Sequence, residues 1–216
     1  MLFSADDDRN GPTPRLLQLA LDAVQAARGV DVSALTARMG GTIPFAEVWP
    51  GEHYKLLAGL MQVLKPRVVI EIGTATGLSA VAMKSFCGPD TQVVTFDVIP
   101  WREYPGTVVT DADWDDRMVQ HLDDLQDPAM VQKHRALFES ADFIFIDAAK
   151  DGVMEQRFIE NLLPLSFQRA PIVMFDDIRL WQMLKIWREL PRPRLDLTSF
   201  GHWSGTGLVD WTVAAG

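Results

Sequence analysis

Four short apolar runs, each carrying an acidic residue at or beside its carboxyl end, constrain this chain more than any other feature. Val68-Val69-Ile70-Glu71-Ile72 contains Glu71, and Val93 to Phe96 runs into Asp97. Phe143-Ile144-Phe145-Ile146 ends at Asp147, and Ile172-Val173-Met174-Phe175 ends at Asp176 and Asp177. Runs this short and this continuously apolar have the pattern of strands buried on both faces of a parallel sheet. Helical patterns separate them, from Gly77 to about Phe86, from Ala129 to Ser140 and from Val153 to Leu163. Strands alternating with helices predict an α/β fold with a doubly wound, mostly parallel sheet. Ligands bind such sheets in the crevice outside the carboxyl ends of the strands, so the four acidic positions should converge there. Any one of them alone reads as a helix N-cap or a solvated loop carboxylate. Four in the same structural position point to a site.

The rest of the chain frames this core. Pro14 to Arg28, Ser33 to Met39 and Glu52 to Leu64 carry helical spacing, ended by Gly29, Gly40-Gly41 and Pro66. Trp101 to Trp114 is irregular, with a brief strand expected at Val119 to Leu122. Leu195 to Phe200 and Gly207 to Val213 alternate as an antiparallel hairpin would. At 216 residues the expectation is one domain spanning 1–216, with 1–50 as a helical or lid segment. A net charge of −9 argues against nucleic acid, whose phosphates require clustered Lys and Arg. The single cysteine, Cys87, fits a reducing compartment, and the start reads as neither a signal peptide nor a span, so a cytoplasmic protein without membrane contact is expected.

The first strand leads into Glu71-Ile72-Gly73-Thr74-Ala75-Thr76-Gly77. Gly73 and Gly77 let the backbone pass close to a ligand. Ala75 stands where a dinucleotide fingerprint needs glycine, so the turn suits a ligand without a pyrophosphate. Asp97 is placed to accept hydrogen bonds from two ribose hydroxyls. Adenosine is implied.

The run VVIEIGTATGLSAVAMKSF, followed by VVTFDVIP, resembles motif I and the next acidic strand of class I S-adenosylmethionine-dependent methyltransferases. The nearest type is the metal-dependent catechol and caffeoyl-CoA O-methyltransferases, and the similarity covers about residues 50 to 180. The resemblance implies a Rossmann-like methyltransferase fold. It also implies Glu71, Gly73 and Ser79 around the methionine part of the cofactor, Asp97 on the ribose, and Asp124 on the adenine side, with Gly77 counted among the cofactor-binding residues for its place in the turn. FIDAAKDG and the later Asp pair resemble that family's metal segments, implying Asp147, Asp176 and Asp177 as ligands of a divalent ion, Mg²⁺ first, and Lys150 as a catalytic lysine. Asp177 replaces the family's Asn, leaving the ligand set one unit more negative and weakening activation of a bound alkoxide.

The chemistry needs such a set because the sulfonium already makes the methyl electrophilic, whereas a neutral hydroxyl is a poor nucleophile. A metal lowers the hydroxyl's pKa and a base takes its proton. Lys150 is one candidate base, although three carboxylates would keep it protonated unless the metal offsets them; otherwise it forms a salt bridge to Asp147 or Asp151. The Asp pair alternatively caps a helix beginning near Ile178. His202, in a glycine-flanked turn, is either structural or a substrate-facing acid or base beside Trp203 and Trp181, and Gly40 to Phe45 form part of a lid. The expected activity is methyl transfer to a hydroxyl oxygen of a small molecule, by an enzyme that is a homodimer on symmetry grounds. An NAD(P)-dependent oxidoreductase and a non-catalytic cofactor-binding protein are the other readings.

Overall fold

The computed structural model describes residues 10–40 and 45–212. Its centre is a seven-stranded sheet in the order β3-β2-β1-β4-β5-β7-β6. β1 (Val68–Ile72), β2 (Gln92–Phe96), β3 (Met118–His121), β4 (Phe143–Ile146) and β5 (Ile172–Asp176) run parallel. β6 (Arg194–Asp196) and β7 (Thr206–Asp210) form the expected antiparallel hairpin, with β7 also antiparallel to β5. The hairpin's first strand is shorter than the alternation predicts because Thr198–Phe200 closes into a 3-10 turn.

The central strands are mostly apolar because each face meets a helical layer. Val69, Val93, Phe143, Phe145, Ile172 and Met174 pack on one side of the sheet. Ile70, Ile72, Val94, Phe96, Ile144, Ile146, Val173 and Phe175 pack on the other. The first layer contains α1 (Pro14–Ala27), α2 (Ser33–Arg38), α4 (His53–Leu64) and α5 (Leu78–Phe86), with the short α3 (Phe45–Val48) leading into α4. The second contains α6 (Pro128–Lys133), α7 (Arg135–Glu139), α8 (Met154–Leu162) and α9 (Met183–Glu189). α1 begins with a Thr13 side-chain cap on the Leu16 N–H and buries Leu16, Ala20, Ala23 and Ala27, a stripe narrow enough for α4 to lie close against it. A Cβ on Gly59 would stand 2.3 Å from the Ala23 carbonyl oxygen, so the α1–α4 crossing depends on that glycine.

Two expectations need correction. The helix expected over Ala129 to Ser140 is two short helices, because His134 leaves the helical region (φ −102°, ψ 15°) between them. The Asp pair does not cap a helix near Ile178: α9 begins only at Met183, and Asp176 is the last residue of β5. The expected lid at Gly40 to Phe45 lies largely outside the described residues, as do Val213 and the acidic run Asp6 to Asp8. Among the described residues, no helix is long and apolar enough to cross a membrane.

Candidate active site

The carboxyl ends of the parallel strands open into a cleft of about 400 Å³. Gly73 and Ala75 after β1, Asp97 after β2, Asp123 and Asp124 after β3, and Asp147 to Lys150 after β4 all line it, together with Tyr104, Leu125 and Phe158. The acids at the ends of β2 and β4 thus converge as the strand pattern predicted.

The turn after β1 is built for close approach. Gly73 has φ +104°, and a Cβ there would lie 2.1 Å from the Asp147 carbonyl oxygen, so the ends of β1 and β4 could not meet around any other residue. Ala75 follows in the left-handed region (φ 44°), and Gly77 (φ +81°) faces Val109 with no room for a side chain. Asp97 steadies this turn: Oδ2 accepts from the Ala75 N–H at 3.0 Å while Oδ1 accepts from the Ile99 N–H at 3.0 Å. Asp124 is exposed at the rim and accepts from the Gln126 N–H. Glu71 and Ser79 lie beneath the turn. Glu71 is fully buried and accepts from Ser79 Oγ at 2.5 Å and from Thr95 Oγ1 at 2.7 Å. Burial, opposed by those two hydroxyls and helped by the charges of Asp147 and Asp97, pushes its carboxyl up to about 8.

Beyond Lys150 lies a second cluster. One carboxylate oxygen each from Asp176 and Asp177 and one ring nitrogen of His202 lie within 4.8 Å of one another. Asp177 is left-handed (φ 60°), as is Lys150 (φ 56°), so of four non-glycine residues with positive φ among those described, three (Ala75, Lys150 and Asp177) stand at the strand ends. Strained backbone of this kind persists where the surroundings hold it, commonly at functional sites. Here Glu155, itself buried, accepts from the Lys150 and Gly152 N–H groups and so fixes the turn after Asp147.

A family model described as O-methyltransferase matches residues 33–191. The chain belongs to this O-methyltransferase family. The resemblance to class I S-adenosylmethionine-dependent O-methyltransferases seen in the sequence is therefore correct. Solved structures agree on the fold. The SAH-bound methyltransferase PaMTH1 of Podospora anserina is 16% identical over 99% of this chain and 98% of its own, with a TM-score of 0.61. The O-methyltransferase TomG from Streptomyces achromogenes, in complex with SAM, is 20% identical over 89% and 96%, with a TM-score of 0.62. Cofactor-bound Rv0187 from MTB is 23% identical over 93% and 98%, with a TM-score of 0.57. Among curated protein sequences none matches.

In this O-methyltransferase the second cluster is electrostatically strained. Lys150 Nζ pairs with Asp147 Oδ1 and stands 3.3 Å from Asp177 Oδ2. Burial alone would lower the ammonium's pKa, but the charge and hydrogen bond of Asp147, with Asp176 and Asp177 behind, outweigh it and raise it. Lys150 is thus a held cation, and Asp147 faces it. Asp151 instead receives the Val153 and Met154 N–H groups at the start of α8. Burial first, then the charges of Asp147 and Asp177, raise the Asp176 carboxyl well above its ordinary value. Burial also lowers His202, against the pull of Asp177 and Asp147, which favours the neutral imidazole.

Four residues of this neighbourhood were given no role in the sequence reading: His53, Ser204, Asp123 and Glu155. Ser204 Oγ hydrogen-bonds both Asp177 Oδ1 and His202 Nδ1. His53 is buried at the start of α4, in helical register with Leu56, Leu57 and Leu60. An imidazole on the core-facing stripe of a helix requires a buried partner, and that was a usable signal.

Proposed function

We propose that this O-methyltransferase transfers the methyl group of S-adenosylmethionine to a hydroxyl oxygen of a small molecule, with a divalent cation at the second cluster. The observation that carries the reading is that a cleft lined by four aspartates adjoins, through the Asp147–Lys150 pair, a cluster of two further aspartates and a histidine. A cleft lined by Asp97, Asp123, Asp124 and Asp147 favours a cationic sulfonium and repels a pyrophosphate, which speaks against a nicotinamide dinucleotide. Asp97, at the lip of β2, is assigned to the ribose hydroxyls, Gly73 to the close passage of the cofactor over β1, and Asp124 to the adenine side. Glu71, Gly77 and Ser79 act from beneath, holding the turn on which the methionine part rests.

The donor set of the second cluster fits a cation. Its carboxylates are buried or nearly so, and one of them, Asp176, has an oxygen with no hydrogen-bond partner among the described residues. Asp176, Asp177 and His202 would hold the ion, with Asp147 sharing its carboxylate between that charge and Lys150. A bound divalent ion would lower the pKa of an acceptor hydroxyl and offset the carboxylates that keep Lys150 protonated. Lys150, tethered by Asp147 between cleft and cluster, is then the residue positioned to receive the proton. His202, tied through Nδ1 to Ser204, is assigned to holding rather than to proton transfer. Trp203 and Trp181, both exposed, offer the acceptor an apolar wall.

Isothermal titration with S-adenosylmethionine is the first test, and tight one-to-one binding is expected; absence of binding would sink the proposal. Methyl transfer to a panel of phenols and catechols should then be lost on EDTA treatment and restored by a divalent salt. Transfer indifferent to EDTA would remove the cation from the reading and leave the cofactor site standing.

A further inference from the structure

Beside the second cluster two buried atoms face each other without bonding. His53 Nδ1 and Asp176 Oδ1 stand 3.8 Å apart, and neither has a hydrogen-bond partner among the described residues. Their residues are 2% and 4% exposed. A donor and an acceptor buried this deeply close to about 3 Å unless something belongs between them. His202 repeats the pattern: its Nε2 lies 4.0 Å from Asp176 Oδ2, and its ring stands edge-on to that of His53 with centroids 5.3 Å apart. Ligand atoms that each bind one ion at about 2.0–2.2 Å stand roughly 3–4 Å from one another, and each imidazole stands at about that separation from one oxygen of Asp176, whereas the atoms already gathered within 4.8 Å of one another are those of Asp176, Asp177 and His202.

The rest of the arrangement fixes the two imidazoles in place. Ser204 holds His202 Nδ1 through Oγ and, at 3.3 Å, through its backbone N–H, leaving Nε2 as the ring nitrogen turned toward Asp176. The segment carrying His53 is joined to the loop carrying His202 by a bridge between Gly51 and His202 and by the Trp203 N–H donating to the Pro50 carbonyl at 2.9 Å. A Cβ at Gly51 would lie 2.4 Å from the Gly201 carbonyl oxygen, so the junction closes only because residue 51 is glycine, while a Cβ at Gly201 would meet the Thr206 side chain at 2.3 Å.

We propose that the cation is held by imidazole nitrogen as well as carboxylate oxygen, through Asp176, Asp177 and His202 Nε2 with His53 Nδ1 closing onto the ion from the other oxygen of Asp176, and that the site selects a transition-metal ion over Mg²⁺ or Ca²⁺. The inference rests on reading the second cluster as a cation site. Mg²⁺ and Ca²⁺ take oxygen ligands, whereas imidazole suits Mn²⁺, Co²⁺ and Zn²⁺ increasingly well, so two histidines reverse the preference that an all-oxygen set would have.

The test uses the full chain after chelator treatment, titrated with each metal salt alone. Co²⁺ and Zn²⁺ should bind at least about tenfold more tightly than Mg²⁺. His202→Ala and His53→Gln should each weaken Co²⁺ binding about 10-fold or more, while Mg²⁺ affinity stays within about threefold. Pulsed electron paramagnetic resonance of the Mn²⁺-loaded wild type should show coupling to imidazole nitrogen, a readout that needs no variant. Equal affinity for Mg²⁺ and Co²⁺, with no nitrogen coupling, would overturn the histidine assignment and leave a cation site of oxygen ligands. Failure of every ion to bind would overturn the cation site itself.

Discussion

Asp97 joins turn and cleft: both its oxygens receive backbone N–H groups, yet the residue still lines the cavity. Asp97→Ala should weaken S-adenosylmethionine binding about 10- to 100-fold, the range for losing hydrogen bonds to a charged acceptor, as read by calorimetry. An affinity within threefold of wild type would move the ribose elsewhere. Glu71 gives a pH prediction. Its folded pKa, about 8, lies above the ordinary 4.5, so the unfolded chain releases this proton first. Its contribution to stability is therefore full below 4.5 and is lost as pH rises toward 8. Glu71→Gln should flatten that decline and raise stability at pH 8 by up to a few kcal/mol in urea melts, provided the amide keeps the Ser79 and Thr95 contacts. Individual residues were legible where chemistry and strand position coincide, as at Asp97 and Asp147. His53 offered a signal only as a polar residue on an apolar helical stripe, which names no partner, and Ser204 offered none, being an ordinary loop serine whose partners are 27 and two residues away.

Among the elements, β1, β2, β4 and β5 were read almost to the residue because both faces of each are buried, leaving no alternation to confuse with a helix, while the half-buried edge strand β3 came one residue earlier than expected. Boundaries failed where the cause is tertiary. Nothing at His134 announces a break, and its ring is held by Asp123 from beyond β3 at 2.7 Å. The left-handed backbone at Lys150 likewise depends on Glu155, five positions on. The α1–α4 crossing provides the test at this scale. Gly59→Ala would ordinarily gain about 1 kcal/mol of helix propensity, but here the methyl meets backbone at 2.3 Å, and a net loss of about 1–3 kcal/mol is expected in chemical denaturation. A stabilised variant would show that the helices part readily.

At the scale of the whole molecule, the cleft and the second cluster meet at the Asp147–Lys150 pair while otherwise drawing on different strands. Lys150→Ala should therefore leave S-adenosylmethionine affinity within about threefold while lowering the rate of methyl transfer by about 10²-fold or more. A parallel loss of cofactor affinity would place the lysine on the cofactor instead. The mostly parallel doubly wound sheet and the hairpin were legible from the sequence; the approach of residues 50–53 to residues 201–204 was not, since no local pattern links segments separated by six strands. That junction has a bearing on biosynthesis. A chain emerging from the ribosome completes β1 to β5 with Asp147, Asp176 and Asp177 crowded together and only Lys150 to balance them. Until the later loop docks on Pro50 and Gly51 and brings His202 and Ser204 with it, the nascent protein can form its cleft but not its second cluster, so the half proposed to activate the acceptor matures last.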